Sequence, residues 1–151
     1  MELELDTPPR EDLLTPPFAT KVALVVRDDL ATWQRLNVTA FLASGITAAN
    51  PELVGAPYAD ADAGRYLSLL GLPVLVFEAP SAVLAAARER AAGRGLAVAV
   101  YTTDMFATGH DAANRAVVEA VPAAALDLVG LGVHGPKNAV DKVLKGARLH
   151  P

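Results

Sequence analysis

A short apolar run near the start of the chain, Lys21-Val-Ala-Leu-Val-Val26, sets the tightest limit on its fold. Its nearly continuous, β-branched apolar character is typical of a central strand that is covered on both faces. Further apolar runs occur at 74–77, 96–101 and 126–133, and helical patterns alternate with them. The sequence therefore predicts an α/β fold, a three-layer α/β/α sandwich.

Four helices are predicted between and after these strands. The first begins with Thr32 as its N-cap and ends near Ser44, because Gly45 follows. Its apolar side is predicted to contain Trp33, Leu36, Ala40, Phe41 and Ser44. The other helices are predicted over 81–92, 110–120 and 137–145.

The chain of 151 residues is expected to form one domain with a single core. Residues 1–19 contain two Pro-Pro pairs among acidic residues, which predicts an extended arm outside that core. The domain itself is predicted to span 20–151. Within it, residues 47–65 are interpreted as a long irregular connection, and 66–69 as a short edge strand.

Composition excludes several classes of function. Without cysteine the chain has no disulfide, thiolate metal site or cysteine nucleophile. Its three histidines lack the spacing of metal ligands, so no metal or other cofactor is predicted. The formal net charge of −4 makes a nucleic-acid partner unexpected. The acidic start is no signal peptide, and no apolar run approaches the roughly 20 residues of a membrane helix, so we expect a cytoplasmic protein without membrane contact.

Polar side chains cluster after the third predicted strand, in the stretch Tyr101–Asp111. A strand end that leads into a helix is where α/β proteins bind ligands. Asp104 and Thr108 are four residues apart, which on a helical turn places a carboxylate beside a hydroxyl. His110 lies at a predicted helix start, where a neutral imidazole is favoured and could act as a base. Each also has an ordinary alternative, since Asp104 and Thr108 can cap a turn or helix and His110 can be a surface side chain.

A second polar junction follows the last predicted strand. There Gly132-Val-His-Gly-Pro-Lys137 leads into a helix whose free N–H groups, with His134 and Lys137 beside them, predict an anion site. Gly135 would let a ligand approach the backbone closely.

Three segments resemble the type II peptidyl-tRNA hydrolases. Lys21–Leu30, which contains Val-Val-Arg-Asp-Asp-Leu, is similar to their opening strand, and Asp104-x-x-x-Thr108 is similar to their Asp-Ala-Gly-Arg-Thr segment. Gly135-Pro136, followed by Asp141-Lys-Val143, resembles their closing Gly-Pro and Asp-Lys-Val motifs.

A closer resemblance lies within that superfamily. Trp33–Ser44 and Val133–Val143 look like the uncharacterised bacterial branch called the DUF2000 family. The resemblance implies a four-stranded mixed sheet whose last strand is antiparallel to the rest, although strand–helix–strand spacing alone predicts a parallel strand. It also implies a homodimer, for which the Ala-rich helix 82–92 offers an apolar face.

The chain departs from the hydrolases where they carry a catalytic lysine. The corresponding segment Ala31–Arg35 has no lysine. Arg35 keeps the positive charge and could stabilise an oxyanion, but an arginine does not act as a base near neutral pH. The helix 110–120 is an insertion relative to the hydrolases, so the walls of the site differ. Hydrolysis of peptidyl-tRNA is therefore not expected.

The predicted site combines catalytic and ligand-binding candidates. The catalytic candidates are Asp104, Thr108 and His110. The ligand-binding candidates are Arg27, Arg35, Asn37, His134, Gly135 and Lys137. Two functions remain open from the sequence: a hydrolase acting on a small amide or ester, and a non-catalytic module that binds a small anionic ligand or a protein partner.

Overall fold

The computed structural model describes residues 19–151, so the predicted arm lies outside the described residues except for Ala19. The strands of the central sheet are β1 (Thr20–Arg27), β4 (Val74–Ala79), β5 (Val98–Thr102), β6 (Leu128–Pro136) and β7 (Arg148–Leu149). Their order across the sheet is β5-β6-β1-β4-β7. A separate hairpin consists of β2 (Tyr58–Ala59) and β3 (Arg65–Tyr66).

Strand β6 runs antiparallel to both of its neighbours, β1 and β5, whereas β1 and β4 are parallel. This confirms the direction that the family resemblance implied, and not the one that spacing alone predicted. The helix between β5 and β6, α3 (Asp111–Glu119), packs mainly against the 3-10 helix Thr103–Ala107. Because α3 does not carry the chain back across the sheet, the next strand returns in the opposite direction.

The prediction of four strands is wrong, because the chain returns to the sheet after its last helix. Gly146 has a φ of 94°, in the left-handed region that favours glycine, and the chain reverses there. β7 then pairs antiparallel with β4, with Leu149 opposite Phe77. Arg148 and Leu149 are not β-branched, so the sequence carries no strand signal at this point.

Helices cover both faces of the sheet. They are α1 (Thr32–Ala49) on one face, and α2 (Ser81–Gly93) and α4 (Lys137–Val143) on the other. Alternate residues of β1 divide between two cores, since Val22, Leu24 and Val26 face α1 whereas Ala23 and Val25 face α2 and α4. This confirms β1 as a central strand that is buried on both sides. Within residues 19–151, no helix combines the length and apolarity needed to cross a membrane.

Helix α1 is longer than predicted and faces the sheet with a different side. It continues through Gly45 to Ala49 and buries Val38, Leu42 and Ile46. The predicted core side is exposed, with Trp33 at 61% and Leu36 at 67%. The reason lies in β6, where a Cβ at Gly130 would be 2.4 Å from Val38 Cγ1, so glycine allows this side of α1 to approach the sheet.

The connection predicted as irregular over 47–65 contains the end of α1, the 3-10 helix Pro51–Leu53 and the β2–β3 hairpin. Asp60 closes the hairpin by accepting the Tyr66 hydroxyl at 2.6 Å and the backbone N–H groups of Gly64 and Asp62 at 2.8 and 2.9 Å. These hydrogen bonds, that of Tyr66 first, hold the pKa of Asp60 below its usual range. The edge strand predicted at 66–69 is wrong, because Tyr66 pairs with Tyr58 in this hairpin.

Candidate functional site

The carboxyl ends of the parallel strands β1, β4 and β5 lie at one edge of the sheet, where α/β proteins bind ligands. After β5 the chain forms the 3-10 helix Thr103–Ala107, which has three residues per turn. Asp104 and Thr108 therefore do not share one helical face. Asp104 is exposed, whereas Thr108 is partly buried and lines a pocket. The structure does not place the Asp104 carboxylate beside the Thr108 hydroxyl as the sequence predicted.

The pocket beside Thr108 has a volume of about 340 Å³ and aromatic walls. The rings of Trp33 and Phe106 meet edge to face with centroids 5.7 Å apart. The ring centroids of Tyr101 and Phe106 are 5.1 Å apart, and those of Phe41 and Tyr101 are 5.7 Å apart. These four rings are half of the aromatic residues in a chain with one Trp, three Tyr and four Phe. We call this site the aromatic pocket.

Several polar side chains line the aromatic pocket: Asn37, Thr108, His110, Asp111 and Asn114. Nδ2 of Asn37 donates a long hydrogen bond of 3.4 Å to the Tyr101 hydroxyl. The Thr108 hydroxyl lies within hydrogen-bonding distance of the Met105 carbonyl, at 2.9 Å, and of Asn114 Oδ1. The hydroxyl is therefore held by acceptors of the protein itself, while the Asn37 side chain is only weakly engaged.

His110 is the N-cap of α3, because its Nδ1 accepts the backbone N–H of Ala113 at 3.2 Å. A neutral imidazole whose Nδ1 accepts a hydrogen bond carries its proton on Nε2. In this tautomer, assigned from the hydrogen bond, neither nitrogen keeps a free lone pair. The ring can donate from Nε2 to a ligand oxygen, but it cannot act as the predicted base unless the cap breaks.

Two carboxylates neutralise Arg27, which the sequence predicted to bind a ligand. Its Nε donates to Asp29 Oδ1 at 2.6 Å, and its Nη1 donates to Asp127 Oδ1 at 3.1 Å. Asp127 also accepts the hydroxyl of Thr103 at 2.7 Å. This cluster ties the ends of β1 and β6 to the turn after β5, and it leaves no excess positive charge for an anion.

Arg35 is engaged in an ion-pair cluster around the buried Glu78. Its Nη1 donates to Glu78 Oε2 at 2.8 Å and lies 2.7 Å from His150 Nε2. Its Nε donates to the Leu30 carbonyl at 3.0 Å. Arg148 Nε donates to the other carboxylate oxygen at 2.6 Å. The hydrogen bond from Arg35 is the main cause that holds the pKa of Glu78 below its usual range, against the opposing effect of burial.

Arg35 has few N–H groups left in this cluster to stabilise an oxyanion, as the sequence predicted it would. A guanidinium has five N–H groups, and Nη2 of Arg35 also donates to the Asp28 carbonyl. Four of the five N–H groups are thus used inside the protein. Arg35 and His150 do line a larger cavity of about 690 Å³, which lies between α1 and the strands β4 and β7. We call this cavity the lateral cleft.

The predicted anion site lies at the opposite end of the sheet, at His134, Gly135 and Lys137. Gly135 belongs to β6 and not to a helix start, and a Cβ there would be 2.9 Å from Leu96 Cδ2. Glycine at position 135 thus leaves room for the side chain of Leu96 to pack against β6. The backbone N–H of Lys137, the first residue of α4, donates to the Ala19 carbonyl at 3.4 Å.

His134 faces a third cavity of about 410 Å³, between the end of α1 and the start of β5. Its Nε2 is buried and makes no hydrogen bond with any residue that the structure describes. His134 pairs with Val22, at the amino end of β1. The structure therefore separates His134 from Thr108 and His110 by the length of the sheet.

The structure brings Asn37, Thr108 and His110 into one pocket, and it places the other predicted residues elsewhere. The sequence does not predict the aromatic walls, because the apolar pattern of α1 places Trp33 and Phe41 on the side expected to face the core. An aromatic pair on the exposed side of α1 was the only signal that could have revealed them. In the range 19–151, no group of three or more His, Cys, Asp or Glu side chains is placed to hold a metal ion.

Comparison with known proteins identifies a family and a structural relative. The model of a family described as "Protein of unknown function (DUF2000)" matches residues 20–151. The chain is also similar to the structure of the protein of unknown function Atu0240 from Agrobacterium tumefaciens strain C58, with 42% sequence identity and a TM-score of 0.87. That match covers 89% of this chain and 100% of the other. No curated protein matches this chain.

Proposed function

This chain belongs to the DUF2000 family of proteins of unknown function, and we propose that it binds a small ring-containing molecule with an amide or carbonyl group in the aromatic pocket. The observation that carries this proposal is the clustering of Trp33, Phe41, Tyr101 and Phe106 around a cavity at the ligand-binding edge of the sheet.

The chemistry of the pocket fits such a ligand. Its volume of about 340 Å³ is near the lower end of the roughly 300–1,000 Å³ of small-molecule sites. Aromatic walls favour a flat ring through offset or edge-to-face contacts. The Nε2–H of His110 supplies a donor for a ligand carbonyl, and the amide of Asn37 supplies both a donor and an acceptor. These groups recognise an amide without carrying a charge themselves. The Asp111 carboxylate, which also lines the pocket and is paired with Arg115, offers no attraction to an anion, so a neutral ligand is favoured over an anion.

Hydrolysis of a small amide or ester is a second candidate, because Thr108 and His110 line the same pocket. For that reaction the His110 ring would have to leave Ala113 and accept a proton from water or from the Thr108 hydroxyl. The Asp104 carboxylate is exposed outside the pocket lining, so it would not orient the ring. Binding requires none of these changes and is the function we favour.

We further propose that the DUF2000 fold is related to that of the type II peptidyl-tRNA hydrolases. The antiparallel β6 and the helices on both faces of the sheet support this relation and a three-layer arrangement. Peptidyl-tRNA hydrolysis is not part of the proposal. The lysine of the hydrolases is missing, and the arginine at the corresponding place, Arg35, is bound to Glu78.

Fluorescence of Trp33, the sole tryptophan, tests the proposed function. The full chain is titrated with a panel of ring-bearing carboxamides, with benzamide as the reference. We expect saturable binding with a blue shift, because a ligand in the pocket covers the exposed Trp33 ring. Phe106→Ala removes a wall and should weaken binding at least about tenfold, which corresponds to 1.4 kcal/mol.

Asp104→Asn is the matched control, since Asp104 lies in the same 3-10 helix as Phe106 but outside the pocket lining. It should leave the affinity unchanged. If Asp104→Asn weakens binding as much as Phe106→Ala, the catalytic arrangement predicted from the sequence gains support over simple binding. If Phe106→Ala binds the whole panel as the wild type does, the aromatic pocket is not the site.

A further inference from the structure

Strand β5 lies at one edge of the central sheet, where β6 is its only neighbour among the described strands. Successive residues of an extended strand direct their backbone N–H and C=O groups to opposite edges. Directly after the strand, Thr103 donates its backbone N–H to the Asp127 carbonyl at 3.0 Å, on the side of β6. The alternation back from Thr103 therefore directs the backbone groups of Val100 and Val98 away from β6.

These outward backbone groups are free. In the range 19–151, no residue outside the sheet forms a hydrogen bond with the backbone N–H or C=O of Val98 or Val100. Val100 lines a groove beside the strand, although its side chain packs against the core beneath α2 and α4. Val100 therefore offers its backbone to the groove. Free N–H and C=O groups on an edge strand can pair with a further extended chain.

The groove lies between α1, β5 and α3 and has a volume of about 390 Å³. Leu42 of α1 and Val118 of α3 form apolar walls. The groove shares five lining residues with the aromatic pocket: Phe41, Tyr101, Met105, Asp111 and Asn114. The two cavities therefore adjoin, and we call the second one the edge groove.

We propose that the aromatic pocket and the edge groove together bind a short extended peptide with an aromatic side chain. The peptide adds a strand to the sheet through main-chain hydrogen bonds with Val100. Side chains opposite one another in neighbouring strands lie on the same face. A peptide residue beside Tyr101 thus points toward α1, where the aromatic pocket lies. The peptide ring occupies that pocket, so this inference rests on the proposed function and identifies the amide of the ligand as a peptide bond.

The walls and charges of the edge groove favour a single uncharged chain. Because α1 and α3 flank the groove, it admits one extended segment more readily than the covered sheet of a second copy. Its charged lining consists of the Asp111–Arg115 ion pair and Glu119, two carboxylates against one guanidinium. This balance disfavours a free carboxyl terminus of the ligand, so a segment with blocked ends is the appropriate probe.

Titration of the full chain with acetyl-Thr-Phe-Thr-amide, followed in ¹H–¹⁵N spectra, tests the proposal. We expect saturable shifts of the backbone amides of Val98 and Val100 together with the side-chain amide of Asn37. The peptide acetyl-Thr-Ala-Thr-amide has the same backbone without the ring. It should bind at least about tenfold more weakly, because nothing then fills the aromatic pocket.

Two singly N-methylated forms of the probe, one methylated at Phe and one at the second Thr, test the strand pairing. In an added strand only every second N–H points to β5, and methylation removes that donor. One of the two forms should therefore lose at least about tenfold in affinity, while the other binds as the parent peptide does. A ligand held only by its ring would bind equally in both forms.

A variant in the wall of the edge groove separates the groove from the aromatic pocket. Val118→Asp should weaken binding of the peptide, because the apolar wall is lost, and should leave the affinity for benzamide unchanged. Ala116→Asp is the matched control, since it introduces the same charge at an exposed position of α3 outside both linings. It should change neither affinity.

The outcomes distinguish the two assignments. If benzamide binds but the peptide does not, or if both methylated peptides bind equally, the edge groove is not a peptide site and the proposed function stands. Equal binding of the Phe and Ala peptides would also overturn the inference. If neither benzamide nor the peptide gives saturable shifts, both assignments fail. Signals of Val98 and Val100 that move with protein concentration alone would show that a second copy occupies this edge, which contradicts the peptide site.

Discussion

At the scale of single residues, hydrogen bonds decide which candidate side chains are available for chemistry. His110, Arg27 and Arg35 all have the residue type that a reactive or binding site needs. Yet His110 caps α3, Arg27 binds Asp29 and Asp127, and Arg35 binds Glu78. Within residues 19–151, the Asn37 side chain makes only one long hydrogen bond, which makes it the better candidate for contact with a ligand.

The capping role of His110 predicts a stability effect that a surface base would not show. His110→Ala leaves the Ala113 N–H without its acceptor and should lower the free energy of unfolding by about 1 kcal/mol. His110→Asn keeps a side-chain acceptor at the N-cap and should restore most of that loss. Urea denaturation of the two variants measures both effects. Equal stability of wild type and His110→Ala would show that the cap contributes nothing.

Glu78 predicts how stability depends on pH. Because the folded state holds the pKa of Glu78 below its usual value of 4.5, the unfolded state binds the proton more readily in acid. The stabilisation by this carboxylate is therefore complete above about pH 5 and is lost as the pH falls through and below 4.5. Glu78→Gln cannot lose this contribution, so its Tm should fall less steeply between pH 5 and pH 3 than that of the wild type.

Thermal unfolding at closely spaced pH values measures this slope. Glu78→Gln should also have a lower Tm than the wild type at pH 7, because Arg35 and Arg148 then share a neutral partner. Asp62→Asn is a control, since Asp62 is an exposed hairpin residue. Parallel pH curves for Glu78→Gln and the wild type would contradict the assignment of acid sensitivity to this cluster.

At the scale of elements, the contact between α1 and β6 positions the aromatic pocket. Trp33, Asn37 and Phe41 reach the pocket from α1, which approaches β6 closely at Gly130. Gly130→Ala would place its Cβ 2.4 Å from Val38 Cγ1. We expect a loss of about 1–3 kcal/mol in the free energy of unfolding, as for other overpacked cores. The displaced helix should also weaken carboxamide binding.

Gly93→Ala is the matched control, because a Cβ at 93 meets no atom within 4 Å. Denaturant titration and Trp33 fluorescence measure stability and binding on the same samples. If Gly130→Ala is as stable as Gly93→Ala and binds equally well, this close contact does not position the pocket.

The elements differ in how far the sequence predicted them. β1 was predictable because burial on both faces requires a continuous apolar run. The orientation of α1 was not, because Trp33 and Phe41 on one side and Val38 and Leu42 on the other are all apolar, and periodicity cannot tell which side meets the sheet. The side of α1 that meets the sheet is determined by Gly130, which is distant in sequence and leaves space for Val38.

The location of the candidate site could be predicted from the sequence, but most of the residues that line it could not. The edge after β5 follows from the strand-to-helix order, and Thr108 and His110 do lie there. The aromatic walls come from three segments of the chain, α1, β5 and the 3-10 helix. No local sequence pattern therefore predicts them. The neutralisation of Arg27 by Asp127 likewise depends on strand pairing, which brings together residues that are distant in sequence.

At the scale of the whole molecule, exposed apolar side chains indicate where a second copy would bind. The Ala-rich helix α2, from which a homodimer was predicted, exposes no large apolar side chain. The hairpin and the segment after it expose several, and Leu67 reaches 87%. We therefore keep the homodimer as a prediction and move its expected interface to Tyr58, Tyr66, Leu67 and Leu69.

Light scattering at micromolar concentration tests this interface. We expect the mass of two chains for the wild type, and the mass of one chain after Leu67→Asp combined with Leu69→Asp, because charge disfavours the apolar contact. Ala85→Asp introduces a single aspartate on the exposed side of α2 and should leave the dimer intact. The mass of one chain for the wild type would contradict the prediction of a homodimer.

The most direct test of ligand binding in the aromatic pocket is to locate where a ring-bearing carboxamide binds. Two-dimensional ¹H–¹⁵N spectra are recorded during titration with the carboxamide panel. We expect saturable shifts of the Asn37 and Asn114 side-chain amides and of the His110 ring, while the backbone signals of β7 and α4 stay in place. Saturable shifts confined to the lateral cleft or to the His134 cavity, or no saturable shift with any member of the panel, would contradict ligand binding in the aromatic pocket.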